Sequence, residues 1–246
     1  MRTNESIKAH YEEGHVYTSD GLDEAMAILW ALPTQRVSRA PIEVLEIGCG
    51  DGRLARDIAD LGMSVTAIDY AVKPDLTALG NPLVDFRLGD YREIDRWFDI
   101  VVMQGVLEHM DVPHETLKFI AKNFRPNQII TSSPAFLNPR GYIWMALQLL
   151  FDAPMSLADL HFILPSQMEK WADDIGYNCE YVSVDQEWGH GDRLIEDFEQ
   201  RLPKVFNDMG IEADTDKLMK WLKETLPYTN YTDHSGATIV YNLRRK

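Results

Sequence analysis

Val44-Leu45-Glu46-Ile47-Gly48-Cys49-Gly50-Asp51-Gly52 is an apolar strand running into a Gly-x-Gly-x-Gly turn. Beyond the turn, Leu54, Ala55, Ile58 and Leu61 fall on one helical face, so the spacing predicts a helix over Gly52 to Leu61. Glycines accept positive φ and let backbone approach a ligand, and the helix N-terminus presents N–H donors. Dinucleotide-binding enzymes use Gly-x-Gly-x-x-Gly at the same place, so the glycines alone do not name the ligand. The charges are more specific. Glu46 stands two positions before the first glycine and Asp51 lies in the turn, which suits a cationic ligand and opposes a diphosphate.

From residue 42 onward short apolar runs alternate with amphipathic stretches, the pattern of an α/β fold in which helices cover a parallel sheet. Strands are predicted over Ile42 to Ile47, Ser64 to Asp69, Val84 to Leu88, Phe98 to Met103, Gln128 to Ser132, Tyr177 to Val184 and Ala237 to Leu243. Further helices are expected over Leu22 to Leu32, Pro113 to Phe124 and Pro165 to Ile175, while the segment containing Pro74 is short or irregular. The chain divides into an N-terminal lid and helix, residues 1–40, and one domain over 41–246 with insertions at 135–164 and 192–232. In the second insertion Ile195, Phe198, Leu202 and Phe206 recur at helical spacing, the mark of a helical cover.

Charge and composition narrow the partners. Across 246 residues, 24 Lys and Arg against 39 Asp and Glu leave a net charge of −15, a field that repels nucleic acid and anionic membranes. Two cysteines, Cys49 and Cys179, give neither a disulfide framework nor a cysteine zinc site, which fits a reducing cytoplasm. The N-terminus lacks a signal-peptide stretch, and the most apolar run, Gly141 to Phe151, is about half the length of a membrane span before Asp152 stops it. The expected protein is cytoplasmic and acts on a small molecule.

The second strand ends in Ala67-Ile68-Asp69, about twenty residues past the glycines, where a carboxylate can accept both hydrogen bonds of a ribose diol. The third ends in Leu88-Gly89-Asp90-Tyr91, with a second carboxylate at the same edge. Together with Phe98-Asp99-Ile100-Val101-Val102, Leu107-Glu108-His109 and Arg125-Pro126-Asn127, these motifs resemble the class I S-adenosylmethionine-dependent methyltransferases over most of residues 41 to 185. The resemblance implies a Rossmann-like, seven-stranded, mostly parallel sheet with helices on both faces, an N-terminal helical cap and helical insertions.

It also implies S-adenosylmethionine as the cofactor. Gly48 and Gly50 would pass close to its methionyl part, with Cys49 filling the loop between them, and Glu46 would help hold the ammonium through water or the loop. Asp69, followed by Tyr70, would take the ribose hydroxyls, and Asp90, followed by Tyr91, the adenine amino group. Gln104 would face the methionyl end, and Tyr11 or Tyr17 would contact the cofactor from an N-terminal lid, where aromatic faces favour a sulfonium. One departure is Pro126-Asn127-Gln128 where the family has Pro-Gly-Gly, which leaves the turn to Asn127.

Methyl transfer to an alcohol needs an aligned lone pair and a base. His109, after the fourth strand, and His161, in a segment similar to the His-Phe-Phe-x-Pro of many small-molecule methyltransferases, are the candidates. Ubiquinone-biosynthesis and small-RNA methyltransferases carry Glu-x-x-Glu-His here as a metal-holding set, but Gly105 replaces the first Glu, and no metal is expected. Tyr142, Trp144, Met145 and Leu149 could line an apolar acceptor pocket or belong to a hidden core helix. The predicted activity is O-methylation of a sugar, quinone precursor or specialised metabolite. The alternatives are N- or C-methylation on the same fold, a cofactor-binding partner protein without turnover, and a nicotinamide-dependent oxidoreductase. Neither the acceptor nor the oligomeric state is legible.

Overall fold

The computed structural model describes residues 22–33, 40–71, 80–153, 161–230, 232 and 234–246. Seven strands, β1 (Glu43–Ile47), β2 (Ser64–Asp69), β3 (Val84–Leu88), β4 (Ile100–Met103), β5 (Gln128–Pro134), β6 (Tyr177–Val184) and β7 (Thr238–Arg245), form one sheet in the order β3-β2-β1-β4-β5-β7-β6. Pairings from β3 through β5 are parallel, and β7 inserts antiparallel between β5 and β6. Strand order reverses beside β1, so β1 and β4 diverge at their C-terminal ends, where open α/β sheets bind ligands.

The sheet is covered on both faces, which is why central β4, Ile-Val-Val-Met, is apolar and buried at every position rather than at alternate ones. On one face Val44, Val102 and Ile130 pack with Ile28 of α1 (Leu22–Ala31), with Leu32 just past its end, and with Leu54, Ala55 and Ile58 of α2 (Arg53–Asp60). On the other, Leu45, Val101, Met103 and Ile129 pack with Leu117 and Ile120 of α3 (Pro113–Asn123) and Met168 and Ala172 of α5 (Pro165–Asp174). The insertions form a separate helical cover. Trp144 on α4 (Pro139–Phe151) is buried against Leu194, Phe198 and Leu202 of α7 (Asp192–Asp208), with Met219 and Leu222 of α8 (Thr215–Thr225) completing its core. A short helix, α6 (Gln186–His190), joins β6 to α7.

Most predicted elements lie within two residues of their observed bounds, and the differences have local causes. β4 starts at Ile100 because Phe98 and Asp99 are spent on single bonds, Phe98 N–H to the Phe124 carbonyl and Asp99 N–H to Glu43. The turn before β5 takes its left-handed residue at Arg125, φ 52°, and not at Asn127, whose N–H is committed to the Asp99 carbonyl at 2.8 Å. The segment containing Pro74 lies outside the described residues.

Candidate active site

The glycine turn leaves β1 folded back on β2. Gly48 and Cys49 both donate N–H to the Ile68 carbonyl, at 2.8 and 3.2 Å, and Gly50 donates to Asp69 Oδ2 at 3.0 Å. Gly52 N–H reaches the Cys49 carbonyl, and Arg53 N–H is taken by Asp51 Oδ1. These amides are therefore consumed within the protein instead of forming a nest for a pyrophosphate. Gly48 has φ +72°, and a Cβ there would stand 2.4 Å from Val106 Cγ2, so the first glycine lets the turn close against the loop after β4. A Cβ on Gly50 or Gly89 would meet nothing within 4 Å, which marks open space along the same edge.

Glu46 is buried at 2% exposure beneath this turn. It accepts from the Ala55 N–H in the first turn of α2, but its Oε2 has no partner among the described residues. Burial, and then the neighbouring Asp69, Asp51 and Asp57, push its carboxyl up to about 8. Cys49 is also buried. Burial, followed by Glu46 and Asp69, drives its thiol far above the ordinary range, which disfavours the thiolate.

Asp69 is 8% exposed at the tip of β2, its Oδ2 held by Gly50 and its Oδ1 by the Ala71 N–H at 2.9 Å. A carboxylate oxygen can accept more than one hydrogen bond, so this clamping orients the group without exhausting it. Asp90 is bound more tightly to its own surroundings. Both its oxygens accept from Arg92 Nε, at 3.0 and 2.9 Å, and this contact holds its carboxyl below the usual range. Tyr70 is exposed at the edge, whereas Tyr91 turns its ring edge-on to Phe119 and Phe124 and bonds Thr116, away from the edge. Gln104 follows β4 as expected and donates from Nε2 to Glu24 Oε2 at 3.0 Å. Tyr11 and Tyr17 lie outside the described residues.

His161 docks onto the loop after β4: its N–H reaches the Glu108 carbonyl at 3.1 Å, and its Nε2 lies 3.0 Å from the Asp111 carbonyl. A carbonyl only accepts, so Nε2 carries a proton at this contact and Nδ1 is the ring nitrogen left for a lone pair. His109 is half-buried in the short 3-10 turn Leu107–His109 of the same loop. Glu108, 2% exposed, takes the Ser133 hydroxyl at 3.3 Å. The described residues contain no group of three or more His, Cys, Asp or Glu able to hold a metal.

The four apolar candidates on α4 separate. Tyr142 and Leu149 are exposed and Met145 is half-buried, but Trp144 is a core residue of the cover, its Nε1 bonded to Asp197 Oδ2 at 3.2 Å. Helical periodicity alone could not tell which side faced α7. Glu24 is a polar residue of the edge that the sequence reading passed over. It shares the α1 face of Ile28 and is 8% exposed, so an acid on the apolar stripe of a helix was the signal available. No helix among the described residues is long and apolar enough to cross a membrane.

A family model described as a methyltransferase domain matches residues 22–182, from α1 into β6. The ubiquinone biosynthesis O-methyltransferase of Dechloromonas aromatica is 30% identical over 151 residues, covering 56% of this chain and 65% of that protein, less than two thirds of its length. The enzyme of the same name from Pseudomonas paraeruginosa is 30% identical over 164 residues, covering 60% of this chain and 69% of the other. Among solved structures, phosphoethanolamine N-methyltransferase 2 of Haemonchus contortus superposes with a TM-score of 0.57 at 17% identity, covering 99% of this chain and 57% of that one. Magnesium protoporphyrin IX methyltransferase of Synechocystis gives 0.54 at 15% identity, covering 98% and 86%. These structural likenesses establish the fold.

Proposed function

This chain belongs to the methyltransferase-domain family, and from that membership we propose that it moves the methyl group of S-adenosylmethionine onto a hydroxyl of a small molecule, with a quinone precursor as the foremost acceptor class. One observation carries the choice of cofactor: the turn's amides are spent internally while the Glu46 Oε2 beneath them is buried without a partner. Such a site favours a cation over a diphosphate. When bound, S-adenosylmethionine supplies an electrophilic methyl group on a positively charged sulfur.

This chain's own residues supply the rest. Asp69, oriented by Gly50 and Ala71, accepts the ribose hydroxyls. The Glu46 carboxyl, which burial otherwise holds up at about 8, is favoured in its ionised form by an arriving cation, and its charge then stands behind the turn; Gln104 presents its carboxamide to the methionyl end. Asp90 takes the adenine amino group, exchanging part of its Arg92 contact for it. His161, its Nε2 proton directed at the Asp111 carbonyl, takes the hydroxyl proton on Nδ1, and His109, on the loop to which His161 docks, orients the acceptor. Tyr142, Met145 and Leu149 offer an apolar surface for an aromatic acceptor. The names of the relatives support O-methylation and the quinone-type acceptor.

Calorimetry with S-adenosylmethionine, S-adenosylhomocysteine and NAD, followed by turnover on catechol and phenol acceptors, tests this reading. Binding of the two sulfur nucleosides is expected, with His161→Ala slowing turnover on the order of 100-fold at unchanged S-adenosylhomocysteine affinity. Binding of NAD alone overturns the cofactor assignment. Undiminished rates in both His161→Ala and His109→Ala remove histidine from the chemistry.

A further inference from the structure

Along the C-terminal edge, Glu46 of β1, Gln104 after β4 and Ser132 of β5 fall on the sheet face that α1 and α2 cover. Strand register puts Ser132 there, since Glu46 pairs with Val102 and Val102 with Ile130, and the Gln104 side chain is brought there by its bond to Glu24 of α1. Glu24, in the first turn of α1, closes over the row. Its Oε2 accepts from Gln104 Nε2 at 3.0 Å, and it also takes a hydrogen bond from Ser132, whose Oγ in turn accepts the Gly105 N–H at 3.0 Å. A residue of the N-terminal helix is thereby tied to both strands that flank the loop after β4.

The chemistry of the pair fixes a direction. A carboxylate only accepts hydrogen bonds, so the carboxamide must turn its NH2 toward Glu24 and its oxygen the other way. Gln104 is half-buried at the start of the loop whose Val106 packs on Gly48, so the loop that carries it borders the glycine turn. We propose that Glu24 is a positioning residue: it holds the Gln104 carboxamide so that its oxygen, and not its NH2, meets the ammonium of the methionyl group. This rests on the cofactor reading above. In the opposite flip the amide would present NH2 to an ammonium, two donors face to face.

The probe that isolates this role is the amino-acid end of the ligand. S-adenosylhomocysteine carries that end, whereas 5′-methylthioadenosine keeps the adenosine and thioether and lacks it. Titrating both ligands into Glu24→Leu is expected to weaken S-adenosylhomocysteine roughly 10-fold, the value of a hydrogen bond to a charged group, and to leave methylthioadenosine within about twofold. Gln104→Leu should match it, and the double variant should be no worse than Gln104→Leu alone, because one residue acts through the other. Glu24→Asp keeps the charge but withdraws the acceptor by one methylene, and it should lose the same selectivity if the leucine variant does not fold.

Equal weakening of both ligands, unchanged selectivity, or additive effects in the double variant each overturn the positioning role. A wild-type protein that binds neither ligand overturns the cofactor reading itself, which keeps the two failures apart.

Discussion

Two buried acids in this molecule are solvated in opposite ways. Asp197, in the helical cover, has a side chain 6% exposed and is flanked by Arg140 at 2.9 Å and Arg201 at 3.1 Å, with Trp144 Nε1 as a further donor. Burial pushes its carboxyl up, and the two guanidinium groups outweigh that, leaving it below the usual range. Glu46, under the glycine turn, has no cation beside it among the described residues and three carboxylates near it, and stands at about 8. The cover is electrostatically complete without a ligand. At the sheet edge a buried carboxyl is left without a counter-charge among the described residues, the feature on which the proposed cation site rests.

The largest effect should come from breaking the complete side. Asp197→Leu strands Arg140, 17% exposed, among apolar neighbours and is expected to cost about 3–5 kcal/mol in urea unfolding. S-adenosylhomocysteine affinity of the folded fraction should not change, because Asp197 belongs to the cover and not to the turn.

Glu46→Gln should sharpen the contrast by acting with the opposite sign. A carboxyl whose folded pKa is raised costs stability as pH climbs from its unfolded value, 4.5, to about 8, since the unfolded chain releases its proton first. The variant is therefore expected to unfold later than wild type at pH 8, by about 1–3 kcal/mol once relaxation has reduced the full linkage value, and to match it near pH 4. It should also bind S-adenosylmethionine more weakly. Asp197 follows the other sign: its stabilisation is present above 3.8 and fades only as pH falls through its lowered folded value.

A smaller change, Asp69→Asn, keeps the shape of the β2 tip but weakens its hold on the Gly50 N–H. A fall in S-adenosylhomocysteine affinity of about 10-fold, with less than about 1 kcal/mol lost in unfolding, is the expected result. An equal loss in both measurements would make Asp69 a loop clamp alone.

Much of this was legible along the chain. Gly48, Glu46 and Asp69 are recognisable because the strand, turn and acid that place them are close in sequence, and the helix and strand periods set the elements to within a residue or two. Trp144 was ambiguous because α4 is apolar on several sides, and only the arrival of α7, some fifty residues later, showed which side was inside. Glu24 was missed for a similar reason: its partner Gln104 is 80 residues away.

Local pattern thus determined the α/β architecture, the glycine turn and the presence of acids at the strand ends, since each depends on residues within a few positions of one another. Tertiary structure alone decided what those acids are worth. Burial and counter-charge are supplied by distant segments, so the same residue type became a neutralised strut at Asp197, a clamp at Asp69 and an unpaired carboxyl at Glu46.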